Sequence, residues 1–486
     1  MGIVASQSFK NVITTYLGFL IGAINTLFLY TEFLSDAYYG MVGFMLSAAY
    51  VMMPLMAFGT HNTLVKFYSS FKTRVSLHSF LTLMIFLPLA IMLPVSVIGY
   101  ICHESIGAFL STENTIIKNY LWHTLLIAIA LAYFEVFFAW AKVQMKTVFG
   151  NFMKEVFHRV GTMILLLSLY IDIINVEQFM VGLVVVYLIR TFIMMFFAFS
   201  IKLPVIVFKK ISNLRSILKY SSLIIIAGSV ATVLLDVDKV MLGKYIPIEQ
   251  IAYYNVAIFI ATVIAVPQRS MHQILLPLAA TYLNEKDYDA LENLYQKSSL
   301  NLLVISGLVF LLIILNINEL YLLIDVAFSS GLNVVLLISV AKLYDSLLGS
   351  NNAILFNSDY YKIVLILGVV LVVSMIVLNM IFIPLYGING AALATFLAIF
   401  FYNTGKLFFV YRYFKMLPFT MHSLRAGGLI IVMALLFYFW DFSFSPVINI
   451  GLKSILICVS YLLVVYKFNL SSDISSIISK SIKRNQ

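Results

Sequence analysis

The sequence predicts an all-α, polytopic membrane protein of about fourteen transmembrane helices. Three observations carry that expectation: apolar runs long enough to cross a bilayer recur from end to end, basic residues alternate between the connections, and a short motif repeats near mid-chain. Of 486 residues, 62% are hydrophobic and only 11% charged, against about a quarter charged in an ordinary globular domain. Water is therefore not the main solvent of this chain. No polar stretch of about 100 residues separates the runs, so a soluble domain is not expected. The net charge of +10 is spread over short clusters between apolar runs, which is not the continuous patch that nucleic acid requires. Cys102 and Cys458 stand far apart with no CxxC or metal-ligand spacing and read as packing residues.

At about twenty apolar residues per crossing, the first six helices fall near 11–30, 39–60, 79–101, 119–140, 157–172 and 178–200. The first of these lacks a small-residue cleavage site and reads as a retained helix. Six more follow near 220–243, 250–268, 299–317, 331–350, 363–383 and 388–410, and a last pair near 425–440 and 448–466. In the seventh helix only sixteen residues lie between Lys219 and Asp236, too few for a crossing, so the helix must continue through LLDVDKVML. That places Asp236, Asp238 and Lys239 in its outer half, with Asp236 and Lys239 three residues apart on one face and able to pair.

Cytoplasmic connections are enriched in Lys and Arg, and the expected connections obey that rule in strict alternation. With the amino terminus inside, 26 of the 31 basic residues fall inside; Lys118, Lys239, Lys244 and Lys453 fall outside, and Arg190 lies within the sixth helix. The outer segments carry acids instead, among them Glu32, Asp36, Glu104, Glu113, Asp172, Glu177 and Glu319. Both termini are thus expected in the cytoplasm.

AYYGMVGFMLSAAYVMMP opens the second helix at Ala37, and AYYNVAIFIATVIAVP opens the eighth at Ala252, 215 residues later. Both stretches follow an odd-numbered helix and end in proline. The offset superposes helices one to six on seven to twelve, as in transporters built from two membrane halves. The expected divisions are 1–210 and 211–420 for the two six-helix halves and 421–486 for the last pair and tail. Pro88, Pro94 and Pro267 fall in or at the ends of spans, where a missing backbone donor kinks a helix; bending for transport and ordinary membrane-helix proline are both open readings.

Four stretches carry a family resemblance: GIVASQSFKN with TYLGFLIGAINTLFLY, LLDVDKVMLGKYIPIEQIAYYNVA, DYDALENLYQKSS and IPLYGINGAALAT from Ile383. On them the chain resembles, nearly end to end, the oligosaccharide (O-antigen and polysaccharide) flippases of the multidrug/oligosaccharidyl-lipid/polysaccharide exporter superfamily. The last stretch also has a physical reading: Pro384, Gly387 and Gly390 make a tight outer turn, and Ala391, Ala392 and Ala394 admit a close neighbour. The resemblance implies two six-helix bundles around a central cavity with two further helices, in a bacterial cytoplasmic (inner) membrane. It also implies movement of an undecaprenyl-diphosphate-linked oligosaccharide between leaflets for surface polysaccharide assembly. The implied partners are that lipid-linked sugar, membrane lipids and other polysaccharide-assembly proteins, with no cofactor and no enzymatic step.

Such a task needs a polar, cationic path across hydrocarbon, so charges inside spans are the candidate site residues. Arg190 lies near mid-span and is expected to meet phosphate or sugar, or else to form an ion pair with Glu135. Glu135 and His123, both in the fourth helix, are candidates for proton coupling; a hydrogen-bonded carboxyl and an interfacial histidine beside Trp122 are the plainer readings. Asp236, Asp238 and Lys239 are candidates for cavity lining and gating, or for an ordinary ion pair at a helix end. Arg159, Lys219 and Arg269, at inner helix ends, either receive the diphosphate through charge-assisted hydrogen bonds or simply anchor their helices.

Two other classes compete. An ion-coupled multidrug antiporter of the same superfamily usually has twelve helices and a carboxylate in its first, which NVITTYLGFLIGAINTLFLY lacks. That stretch also lacks the arginine expected of a lipid II flippase. A membrane polymerase or glycosyltransferase would use a sizeable outer loop, and the DVD at Asp236 to Asp238 is embedded in a helix. HExxH, GxSxG and Walker motifs are absent from the sequence.

Overall fold

Helices form throughout because a backbone in hydrocarbon must satisfy its own hydrogen bonds within each segment. The computed structural model describes residues 3–110, 113–211, 213–476 and 479; among these no strand occurs. Gly2 of the amino-terminal motif and the tail cations Lys480, Lys483 and Arg484 lie outside them. Eleven helices among the described residues are long and apolar enough to cross a membrane. One of them, Tyr361–Phe414, contains Gly387 at φ 56 and ψ −131, a non-helical point that divides it into two arms. Only glycine adopts that conformation readily. The arms approach so closely that a Cβ on Gly390 would overlap the Phe382 carbonyl, and Ala391, Ala392 and Ala394 are fully buried. The expected turn between the eleventh and twelfth crossings is this point. At the fifth expected crossing Val148–Phe152, a π-helical turn Met153–Phe157 and His158–Tyr170 follow without a break, and the seventh lies in Leu214–Tyr245.

Proline and glycine place the other breaks. The third span divides at Leu87 and Pro88, between helices Arg74–Phe86 and Leu89–Ile101. Pro267 stands at the start of Val266–Glu285, after a 3₁₀ turn at Val263–Ala265. Asp36–Met56 ends just after Pro54, and the chain passes through Gly59 in the left-handed region (φ +61) before Thr60–Phe67 begins. A Cβ at Gly59 would meet the Ser221 carbonyl at 2.6 Å, so both conformation and space require glycine there.

The chain divides into two compact units, Met1–Asn255 and Val256–Gln486. In the first, Leu121–Lys142 is the central helix: 78% of its apolar window is buried, against Asp36–Met56, Thr60–Phe67 and Val176–Ile201. Phe134, Phe138, Trp140 and Met194 fill that core, and Thr191 Oγ1 donates to the Ala130 carbonyl at 2.8 Å. In the second unit the 37-residue helix Tyr288–Ile324 plays this part. The last pair, Met421–Tyr438 and Pro446–Lys467, packs on it through Ile430, Met433, Ile457 and Tyr461, and the Tyr461 hydroxyl donates to the Val304 carbonyl at 3.0 Å.

Candidate functional site

Three elements of the first unit supply the polar side chains of a pocket of about 160 Å³. The 121–142 helix supplies Glu135, the π-helical turn 153–157 supplies Lys154, and the helix after the Gly59 bend supplies His61 and Asn62. Lys154 Nζ lies 2.6 Å from Glu135 Oε1, an ion pair whose carboxylate is largely buried. His61 Nε2 and Asn62 Nδ2 are 3.0 Å apart, while His61 Nδ1 is buried without a partner. Burial holds the His61 imidazole below its ordinary range; Glu135 opposes that, and Lys142 and Lys154 reinforce it. A π-helical turn widens the helix by one residue and is frequent at functional sites. A second such turn, Asn25–Leu29, lies against the helix His158–Tyr170 that follows the first: Asn25 Nδ2 donates to the Arg159 carbonyl at 2.8 Å.

Arg190 projects from Val176–Ile201 onto the same central helix. Its guanidinium carbon is 4.1 Å from the Phe134 ring centroid and 4.9 Å from that of Tyr187. The side chain is 1% exposed and its Nε has no hydrogen-bond partner. Among the described residues Arg190 forms no ion pair, and the expected carboxylate partner, Glu135, is engaged by Lys154 instead. The reason is reach: Lys154 approaches from the π-helical turn at hydrogen-bond distance, whereas the ring of Phe134 faces Arg190. Burying a lone cation costs several kcal/mol, and cation–π contacts return about 2 kcal/mol when desolvated. The site therefore holds a positive charge that its own side chains only partly compensate. Arg159, one turn beyond Glu155, reaches it at 3.8 Å and leaves Nη1 buried without a partner.

The expected pairing in Leu214–Tyr245 is present. Lys239 Nζ lies 3.5 Å from Asp236 Oδ1, which also accepts from Ser47 Oγ at 2.8 Å. Asp238 is 3% exposed and accepts from the Tyr254 hydroxyl at 2.7 Å, so the two carboxylates of DVD serve different partners. His123 lies apart from Glu135, about 18 Å away at 1.5 Å per residue, and its ring packs edge-on against Tyr120 at 5.1 Å.

The second unit has a charged cluster of its own, and sequence reading found only part of it. Asp345 of Leu332–Leu347 accepts from Asn403 Nδ2 at 3.0 Å, and its carbonyl accepts from Gln268 Nε2 at 3.2 Å. Lys406, 4% exposed, lies over the Tyr402 ring at 4.3 Å and forms no ion pair among the described residues. Arg269 follows Gln268 in Val266–Glu285. Arg190 and Lys406 are 216 residues apart in the sequence, within one residue of the repeat offset. Each unit thus buries a cation against a tyrosine about one turn earlier. Lys154, His61, Asp345 and Lys406 were not expected as site residues; transferring Arg190 by the repeat offset leads to Gly405, the neighbour of Lys406.

No protein-family model and no curated protein matches the chain. Solved structures do match. One of lipid II flippase MurJ, in an inward closed conformation, has a TM-score of 0.72 at 17% identity and covers 95% of this chain and 99% of that one. The chain shares the fold of that flippase. An inward-facing multidrug resistance MATE family transporter of the MOP superfamily has a TM-score of 0.64 at 12% identity, covering 84% of this chain and 98% of that one. A MOP superfamily transporter from Pyrococcus furiosus has a TM-score of 0.54 at 12% identity, covering 86% and 96%. This chain is an all-helical, multi-pass membrane protein that shares the fold of these three structures.

Proposed function

We propose that the protein is a flippase that moves an undecaprenyl-diphosphate-linked oligosaccharide from the cytoplasmic to the outer leaflet of a bacterial inner membrane, for O-antigen, capsule or exopolysaccharide assembly. The observation that carries this reading is Arg190: a mid-span guanidinium, buried and without an ion partner, is a charge held for an anionic ligand. Lys406 repeats the arrangement in the second unit. A diphosphate meets that need through charge-assisted hydrogen bonds, and a cationic drug does not.

The extent of the structural likeness supports the same reading. The lipid II flippase covers 95% of the chain and the multidrug transporters 84% to 85%, a difference about the size of the two C-terminal helices. In this reading the six-helix halves 1–210 and 211–420 alternate access, with Glu135, Lys154 and His61 as the proton-responsive group, and both termini face the cytoplasm. Asp236, Asp238 and Lys239 line the outer end of the path, and Arg269 its inner end.

The test is to delete the gene and measure undecaprenyl-diphosphate-linked oligosaccharide in each leaflet. Accumulation on the cytoplasmic side, with surface polysaccharide lost, supports the reading. Completed but unpolymerised units on the outer side contradict it and indicate a polymerase. Unchanged lipid-linked sugar with increased sensitivity to cationic drugs indicates a multidrug antiporter.

A further inference from the structure

The first unit contains a second cavity, unlike the polar pocket in every respect. It measures about 330 Å³ and lies between Asp36–Met56, Leu89–Ile101, His103–Leu110, Leu121–Lys142 and Leu214–Tyr245. Its wall is almost wholly apolar, from Phe44 and Ala48 to Met52 along one helix, a depth of about 12 Å at 1.5 Å per residue. An apolar cavity of about 150 Å³ accepts one benzene-sized group, so this one holds on the order of a dozen chain carbons. At Gly99, in its wall, an added Cβ would meet nothing within 4 Å.

Trp122 and His103 line the cavity, stacked with centroids 6.0 Å apart, and Tyr100 approaches Trp122 at 6.2 Å. Aromatic residues of this kind mark the level of the headgroups. Cations gather around the same helix, His103–Leu110. Lys118 packs against Gly107 and pairs with exposed Glu104 at 2.5 Å; Lys244 lies 3.6 Å over the Phe109 ring. Both belong to the four lysines that the alternation of charge puts on the outer side, where positive-inside anchoring does not explain them. Lys244 also lies one turn beyond Val240, which lines the cavity.

We infer that this slot holds the polyprenyl chain of the lipid-linked substrate on the outer side, with Lys118 and Lys244 receiving its diphosphate. The inference rests on the flippase reading and adds where the product lodges before it leaves. An apolar slot walled by a short helix that a lysine flanks on either side is complementary to a chain bearing a dianionic head, and Lys118 exchanges the exposed Glu104 carboxylate for phosphate.

The experiment uses the full chain reconstituted in vesicles, with a polyprenyl-diphosphate oligosaccharide carrying a diazirine on its chain. Labelling is expected within 95–99 and 121–125, displaced by unlabelled polyprenyl diphosphate. Gly99→Trp is expected to lower it about tenfold without moving the melting temperature, and a Lys118→Glu, Lys244→Glu double variant to weaken displacement by a similar factor. Labelling by a diazirine phosphatidylglycerol that polyprenyl diphosphate does not displace would overturn the inference and assign the slot to bulk lipid. Transport is followed in the same vesicles: transport without labelling of the slot overturns this inference alone, and absence of transport overturns the flippase reading.

Discussion

The Arg190 guanidinium carbon lies 4.1 Å from the centroid of Phe134, the residue next to Glu135 in sequence, yet the Glu135 carboxylate is bonded to Lys154 at 2.6 Å. Two oppositely charged residues on packed helices therefore serve different partners. Arg190 is left on aromatic faces, and the first prediction follows from that. Replacing Arg190 with Met removes a buried charge that no carboxylate compensates, so the melting temperature in detergent should hold or rise. If the arginine were one half of a structural ion pair, its loss would cost about 3 to 5 kcal/mol and the melting temperature would fall.

Glu135→Gln should behave in the opposite way. It strands Lys154 in a largely buried pocket, and because Lys154 is 43% exposed the cost is reduced to about 1 to 3 kcal/mol. The double variant Glu135→Gln, Lys154→Met should recover most of it. Thermal melting of the four proteins as a double-mutant cycle measures the coupling directly; additive losses would show that the pair contributes nothing.

His61 sets a pH dependence whose sign is fixed by burial. Its folded-state imidazole takes up a proton below the ordinary value of 6.5, whereas the unfolded chain takes one up near it. Stability attributable to His61 is therefore present above that value and lost as the pH falls through it. Melting temperature against pH should fall more steeply below about 6.5 for the wild type than for His61→Gln. Parallel curves would show that the imidazole is solvated.

Gly387→Ala tests the turn between the two arms of Tyr361–Phe414. At φ 56 and ψ −131 a side chain is strained by about 1 to 3 kcal/mol, with no loss of packing to share the effect. The same substitution at Gly427, where an added Cβ meets nothing within 4 Å, should be neutral or slightly stabilising because it lies inside a helix. Equal melting temperatures for the two variants would place no strain at the turn.

Much of this architecture was legible because bilayer thickness imposes a length on apolar runs, and Leu121–Lys142, Val176–Ile201 and Pro446–Lys467 lie within a few residues of their expected places. The pairing of Asp236 with Lys239 was legible for a similar reason: both belong to one helix, and three residues bring them to one face. Glu135 with Lys154 was not, since their meeting depends on a π-helical turn that no periodicity announces. Lys154 read only as one more inner cation. Asp345 escaped notice because its partners, Gln268 and Asn403, come from two other helices. Lys406 was hidden by the positive-inside pattern, which accounts for a lysine near a helix end without asking whether it is buried.

The most direct measurement of the central claim is leaflet-resolved transport of an undecaprenyl-diphosphate-linked oligosaccharide by the purified protein in vesicles, for wild type, Arg190→Lys and Arg190→Ala. A hydrogen bond to a charged group is worth about 1.5 to 3 kcal/mol, so Arg190→Ala should transport about ten- to a hundredfold more slowly, with Arg190→Lys between the two and all three equally folded. Wild-type rates in the folded Arg190→Ala protein would contradict the account.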